Sequence, residues 1–515
     1  MNLAIHKVDI AIVLTYLMAI MAFGVWIGKN PRTTLDYFLG GRTLPWWALL
    51  LSIVATETST VTFLSVPGKS FAPGGNLTFL QLAIGYIIGR TIVVWILLPA
   101  YFRSELFTSY ELLQHRFGTT TRRLSSLLFL ATRNAADAIR LYLTALVLKQ
   151  AIGMDLIPCI VLLGIVTTIY TLAGGMKSVV WNDVIQFTVY MLGAMWALGV
   201  ILRMVPGGWS TIVEFGRETD RWQLLTTAGG MNALNIWAGA IGGAFLTLAT
   251  HGTDQLIVQR VLGAKSQRHA SVALIGSGLV VFVQFALFLV IGVGLACYYQ
   301  QSPPATAFTD NDEVFASFIV NHLGVGIVGI TLAAVFSAAM STLSSSLNSS
   351  ASVFVNDFYV LLQPNSSEDQ RVRISRISTL VFGILQVAIA IAVINIAANT
   401  AVVDRVLFIA GFASGPILGL FFLASLSKHC RESDALFGFV GGVLILCCVV
   451  FGPHLIATTG SSESISSEVE AGSTGVAVVT WIPQINGYWY SLIGSVATFL
   501  FAQIHHVVRR KTGSL

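Results

Sequence analysis

An all-α polytopic membrane fold is what this sequence predicts, and three observations predict it. Of 515 residues, 55% are hydrophobic and only 10% are charged, whereas soluble domains carry about 25% charged residues. Mean hydropathy is +0.78. Polar interruptions cut the chain into apolar runs of the length that crosses ~30 Å of hydrocarbon, about 20 residues of helix each. The net charge of +5 is too mild for a nucleic-acid binder. Soluble enzymes and disordered tails are excluded on the same grounds.

About thirteen transmembrane segments follow, near 9–28, 45–66, 77–101, 123–151, 155–173, 180–204, 232–262, 270–299, 324–356, 374–397, 403–427, 435–456 and 486–508. The first has no basic leader or small-residue cleavage site and reads as a retained helix. The ninth is long enough to continue past the membrane. Basic residues then orient the chain, because they stay on the cytoplasmic side. Nineteen of them, including Arg103, Arg116, Arg122, Arg260, Arg371, Lys428 and Arg509, fall in one set of alternate loops and seven in the other. The N-terminus is expected outside and the C-terminus cytoplasmic, in an integral plasma (inner) membrane protein. The Ser/Glu-rich stretch 457–475 reads as a surface loop, and no soluble module is expected after the last span.

The five cysteines show no paired metal-ligand spacing and read as packing residues. Ionisable groups at membrane depth are costly, so each is a functional hypothesis. They are Glu57, Arg90, Arg133, Asp137, Arg140, Asp183 and Asp254. Glu57 lies in VATETSTVTFLSVPG (Val54 to Gly68), polar at its middle and ended by Pro67-Gly68. Such a helix is a candidate for local unwinding that frees carbonyls for a cation; a packed kink is the plain alternative. In the ninth segment, FSAAMSTLSSSLNSS places Ala338, Ser341, Thr342 and Ser345 on one helical face. Hard oxygen ligands without thiolate or imidazole suit an alkali cation, although small residues also serve close helix packing.

Asp183 reads either as a charge near a helix N-terminus or as an acid at an ion site. In the seventh segment Gly242-Gly243, Thr247, Thr250, His251, Gly252, Thr253 and Asp254 mark a second break. Breaks five segments apart suit an inverted repeat of five plus five helices. Arg133, Asp137 and Arg140 share one face as an internal ion-pair set, with Arg140 a candidate for an anionic substrate. Arg90 is read as a residue that could snorkel to the inner interface.

DYFLGGRTLPWWALLLS (36–52), GGMKSVVWNDVIQ (174–186), GTDQLIVQRVLGAKS (252–266), AAMSTLSSSLNSSASVFVNDFY (338–359) and SGPILGLFFL (414–423) occur in an order that resembles the sodium:solute symporter family. That family includes sugar, proline, monocarboxylate, vitamin and iodide carriers. The resemblance implies a leucine-transporter-like fold in one domain: an extra N-terminal helix and loop (1–44), inverted repeats at 45–204 and 232–427, and two C-terminal helices (435–515). It implies a first sodium site on the carbonyls of Ala55, Thr58 and Ala338 and the hydroxyls of Ser341 and Thr342. A second sodium, bound by some members, maps onto Asp183, Ser341, Ser344 and Ser345. The substrate pocket maps beside Glu57 and Thr62, against Thr247, Thr250, His251 and Gln81. Thr62 and Ala83 stand where sugar carriers place polar hydrogen-bonders, which argues against a typical hexose pocket.

The function so implied is sodium-coupled import of a small polar solute (sugar, carboxylate, amino acid or vitamin) by alternating access, with two sodium ions. Solute, sodium and lipid are the implied partners, and no obligate protein partner is. A sodium-independent or proton-coupled carrier of the same fold is the nearest rival, with a transporter-like sensor behind it. An intramembrane enzyme finds no paired catalytic set or metal-ligand motif.

Overall fold

A computed structural model describes residues 6–28, 31–58, 60–103, 106–152, 154–304, 308, 310–394, 402–460 and 485–512. Each expected segment falls on helix, the arrangement that satisfies backbone polar groups without water. Backbone pairing of the sheet type is confined, among the described residues, to one parallel bridge between Leu44 and Ala264. The surface loop expected at 457–475 lies almost wholly outside the described residues. Among them, eight helices are long and apolar enough to cross a membrane, or nine if one bent pair is a single span.

The first helix, α1, is Lys7–Ile27. The bent pair is α2 (Trp46–Glu57) and α3 (Thr60–Phe71), whose axes differ by 64°. Thr58 between them is extended, at φ −83° and ψ 103°, so the expected unwinding of the second segment is present. Next come α4 (Leu80–Ile96), a short α5 (Glu111–Arg116) and α6 (Thr119–Ile152). The 49-residue α7 (Leu156–Met204) is too long for one crossing. Gly175 breaks it with φ 54° and ψ −145°, and the Tyr37 carbonyl lies 2.3 Å from where a Cβ would stand. Only glycine meets both conditions. Hence the loop expected between the fifth and sixth segments is a single sharp turn.

The seventh segment breaks at Thr253–Asp254, between α8 (Gly243–Gly252) and α9 (Gln255–Leu262), and not at the paired glycines. Gly242 instead ends a π-helical turn, Ala238–Gly242. Asp254 caps α9 by accepting from Leu256 N at 2.8 Å. The remaining long helices are α10 (Gln267–Gln301), α11 (Ile327–Phe354), α12 (Glu368–Val393), α13 (Val402–Leu426), α14 (Glu432–Gly460) and α15 (Tyr490–Thr512), with shorter ones such as Trp209–Glu218 and Glu313–His322 between crossings.

Packing gathers the helices into two groups that meet where α2 also packs on α7 and α11. In one, α10 packs on α2, α3 and α4, and α4 on α8. Gly85 of α4 meets the backbone at Gly239, where a Cβ would be 2.1 Å from the carbonyl, the small-residue contact that brings membrane helices close. In the other group α11 packs on α6, α7 and α12. The central member is α11, with 89% of its apolar window buried, against 22% for α1. Large apolar side chains such as Trp95, Val283 and Ile384 point outward, as a lipid-facing surface requires.

Candidate ion and solute site

Where α2 ends, Glu57 meets Arg90 of α4, which is 0% exposed and also donates to Ser277 Oγ of α10 at 2.6 Å. His251 of α8 brings Nε2 to 3.6 Å from Glu57 and its Nδ1 to 2.9 Å from the Thr250 hydroxyl. Arg90 therefore does not snorkel. Removing one partner of a buried ion pair costs about 3–5 kcal/mol, so this cluster ties together α2, α4, α8 and α10, all of the first group.

Near the middle of α11, the hydroxyl-rich face meets the same break. Thr342 Oγ1 donates to the Thr56 carbonyl at 3.0 Å, and Thr56 Oγ1 lies 3.2 Å from Ser345 Oγ. Ala55, Thr58, Ala338, Ser341, Ser344 and Ser345 are all buried. Ser341 donates to Asp183 Oδ1 at 2.6 Å. Asp183 is buried within α7 and is not an N-terminal helix charge. The hydroxyls of Ser344 and Ser345 bond back to the Ser341 carbonyl at 3.1 and 2.6 Å.

A residue that sequence reasoning placed in a cytoplasmic loop stands in the middle of this set. Arg260 of α9 is 0% exposed, and its Nη2 lies 3.0 Å from Asp183 Oδ2 and against Ser345 Oγ. Its Nε donates to Ser52 at 2.7 Å and its Nη1 to the Leu256 carbonyl at 2.6 Å. Arg260 thus leaves the loop count, which still favours the same side by eighteen to seven. The position was legible only as an arginine in the last turn of an apolar segment, six residues after the break. Asp357, likewise missed, is fully buried and held by Arg122 Nε at 2.9 Å.

The ion-pair set on α6 is real. Arg133 Nε lies 2.8 Å from Asp137 Oδ2 and its Nη1 lies 3.4 Å from Asp254, while Arg140 Nη1 pairs with Asp137 Oδ1. Two arginines thus share Asp137, and Arg140 Nε is buried without a hydrogen-bond partner among the described residues. A small open cleft lies between Arg133 of this set and the α8/α9 break, lined also by Thr253, Asp254 and Tyr110. None of the expected pocket residues, Arg140 included, is among those that line it. Gln81 spends its amide on the Thr78 carbonyl and Thr226 N at 3.1 and 3.2 Å. Thr247 packs against Gly89 at the α4–α8 contact, Thr250 also bonds back to the Leu246 carbonyl at 3.0 Å, and Thr62 is half-buried.

The sodium:solute symporter family profile matches residues 37–442. The chain belongs to that family. A sodium/sialic acid symporter of Proteus mirabilis is 31% identical to this transporter over 457 residues, 87% of this chain and 90% of the other. The human sodium-coupled monocarboxylate transporter 2 is 27% identical, covering 90% and 76%. Among solved structures, a substrate-bound, outward-open sodium-coupled sialic acid symporter superposes with a TM-score of 0.85 at 28% identity over 98% of both chains. A nucleobase-cation-symport-1 family transporter matches at 0.57 and 12% identity, covering 94% and 96%, a likeness of fold alone. The leucine-transporter-like fold expected from the motifs is the fold these neighbours carry, and sodium is the coupling ion of the family.

Proposed function

We propose that this transporter imports a small carboxylate-bearing solute together with two sodium ions, by alternating access between the two helical groups. The observation that carries the reading is the Thr342 hydroxyl on the Thr56 carbonyl, 3.0 Å apart, where α2 stops being helical. Carbonyls of Ala55, Thr58 and Ala338 with hydroxyls of Ser341 and Thr342 then hold the first ion. Asp183, Ser341, Ser344 and Ser345 hold the second when Arg260 gives up its place among them. Arg140, with Arg133 sharing its single acid, receives the solute carboxylate, and the Glu57–His251 cluster borders the pocket. Monocarboxylate and sialic acid carriers among the relatives support an acidic solute.

Charge bookkeeping favours the second ion. Each charge moved through 100 mV supplies about 2.3 kcal/mol, and a tenfold sodium gradient about 1.4 kcal/mol per ion. One sodium with one monoanion is electrically neutral, so it concentrates solute only about tenfold. Two sodium ions with one anion move one net charge and supply about 5 kcal/mol, several thousand-fold accumulation. The topology that goes with this reading has thirteen crossings, inverted repeats at 45–204 and 232–427, an outside N-terminus and a cytoplasmic C-terminus in the plasma membrane. Proteoliposome uptake of sialic acid and monocarboxylates under sodium or potassium gradients tests it. Sodium-dependent, inward-positive uptake is expected; uptake unchanged by potassium replacement sinks it.

A further inference from the structure

On the face that carries Arg509, Arg510 and Lys511, three ligand types converge from distant parts of the chain. Cys430 lies in the α13–α14 connection, Asp434 in the first turn of α14, and His506 near the end of α15. Their ligand atoms all lie within 4.8 Å of one another. Cys430 and Asp434 are 2% and 0% exposed. His505 adds a second imidazole, with Nδ1 2.7 Å from Asp434 Oδ1. One cation already serves this acid. Arg509 Nη2 lies 2.7 Å from Asp434 Oδ2, its Nε 3.0 Å from Oδ1, and its Nη2 3.2 Å from His506 Nδ1.

We propose that Cys430, Asp434 and His506 form a site for a divalent transition metal of the zinc class, with His505 as the available fourth ligand and Arg509 as the competitor that holds Asp434 when no metal is bound. The donor set is borderline-soft, which selects zinc-class ions over sodium, magnesium or calcium. Bonds of about 2.0–2.3 Å to a tetrahedral ion put ligand atoms roughly 3.3–3.7 Å apart. The observed spread of Cys430, Asp434 and His506 therefore has to close by about 1.5 Å at most, within reach of the partly exposed His506 side chain, at 17%.

Charge balances in the exchange. Before it, the site holds the Asp434 carboxylate and the Arg509 guanidinium. Afterwards it holds the dication, the carboxylate and the Cys430 thiolate, with Arg509 released to solvent and the thiol proton lost to the medium. Binding thus releases one proton per metal if the imidazoles are neutral. Its structural consequence is a clamp between the α13–α14 connection and α15.

Cobalt(II) titration of the full chain in detergent, with any affinity tag removed, tests the site. The expected result is a saturable one-to-one complex with thiolate-to-cobalt charge-transfer absorption, displaced by zinc. C430S loses that absorption while its unfolding temperature in chelator matches the parent's. R509A binds cobalt about tenfold more tightly, because the guanidinium that competes for Asp434 is gone. Absence of a saturable complex, a charge-transfer band that survives C430S, or an affinity unchanged in R509A overturns the proposal.

Discussion

Replacing Arg260 with alanine separates two roles that one side chain could play. Arg260 is fully buried against Asp183, also fully buried, at 3.0 Å. Truncating it strands a carboxylate in the protein interior, which costs about 3–5 kcal/mol. Two further donations, to Ser52 at 2.7 Å and to the Leu256 carbonyl at 2.6 Å, go with it. If the proposed second sodium occupies the same oxygen cage, the ion can repay much of that loss. A ligand at one hundred times its dissociation constant stabilises by about 2.7 kcal/mol. Thermal unfolding of R260A in detergent should therefore show a large deficit against the parent in potassium and a clearly smaller one in saturating sodium. The parent should show a smaller sodium-induced shift than the variant, since Arg260 already occupies part of its cage. An R260A deficit equal in both salts refutes the reasoning and leaves Arg260 a structural counter-ion.

Three further perturbations follow from the geometry. G175A should be destabilised by roughly 1–3 kcal/mol from backbone strain alone, with the Tyr37 carbonyl contact of 2.3 Å adding to it; unfolding temperature and membrane expression read this, and a parent-like variant would show that the turn is replaceable. E57Q leaves Arg90 buried without a counter-charge, and E57Q/R90Q should recover part of the loss, giving a coupling energy above about 0.5 kcal/mol in a double-mutant cycle; strict additivity would show the pair to be independent. Outside the membrane-spanning helices, burial pushes the Glu111 carboxyl from its ordinary 4.5 up to about 7, with Asp357 nearby adding to the rise and Arg122 opposing it. The folded chain therefore keeps a proton that the unfolded chain loses first, so this acid's contribution falls as pH rises from 4.5 to about 7 and is flat above. E111Q should remove that part of the pH slope in unfolding temperature between pH 5 and 8, and parallel curves would contradict it.

Helices were legible because lipid admits few alternatives: length and apolarity identify a crossing whatever its neighbours do. The break at Glu57–Thr58 was legible too, since threonine and glutamate are poor choices for lipid-facing helix. Partnerships were not. Asp183 and Arg260 stand 77 residues apart, and an arginine at the end of an apolar run looks the same whether it meets lipid headgroups or a buried acid. The same limit hid Arg122 with Asp357 and the meeting of Cys430 with His506. Glu57 and Arg90 both stood out by polarity, yet nothing local announced that each neutralises the other. Gln81 shows the converse: a polar residue at a plausible pocket position whose amide bonds to backbone at Thr78 and Thr226.

The Asp183 cluster also differs from the Glu57 cluster in what it joins. Glu57, Arg90, His251 and Ser277 all belong to the group of α2, α4, α8 and α10, so their bonds survive any rigid movement of that group. Asp183 and Ser341 belong to α7 and α11, whereas Ser52 belongs to α2 and Arg260 to α9, which packs on α2, α8 and α10 as well as on α11. A relative movement of the groups that parts α9 from α7 would lengthen the Arg260–Asp183 pair unless something replaced it. A sodium ion held by Asp183 and the serines of α11 would supply that replacement from within one group, removing the charge that ties the two together. Ser341 belongs to both proposed ion sets, so the first ion would feel the change through the same hydroxyl. By thermodynamic reciprocity, whichever arrangement of the groups favours separation of Arg260 from Asp183 must also bind that sodium more tightly.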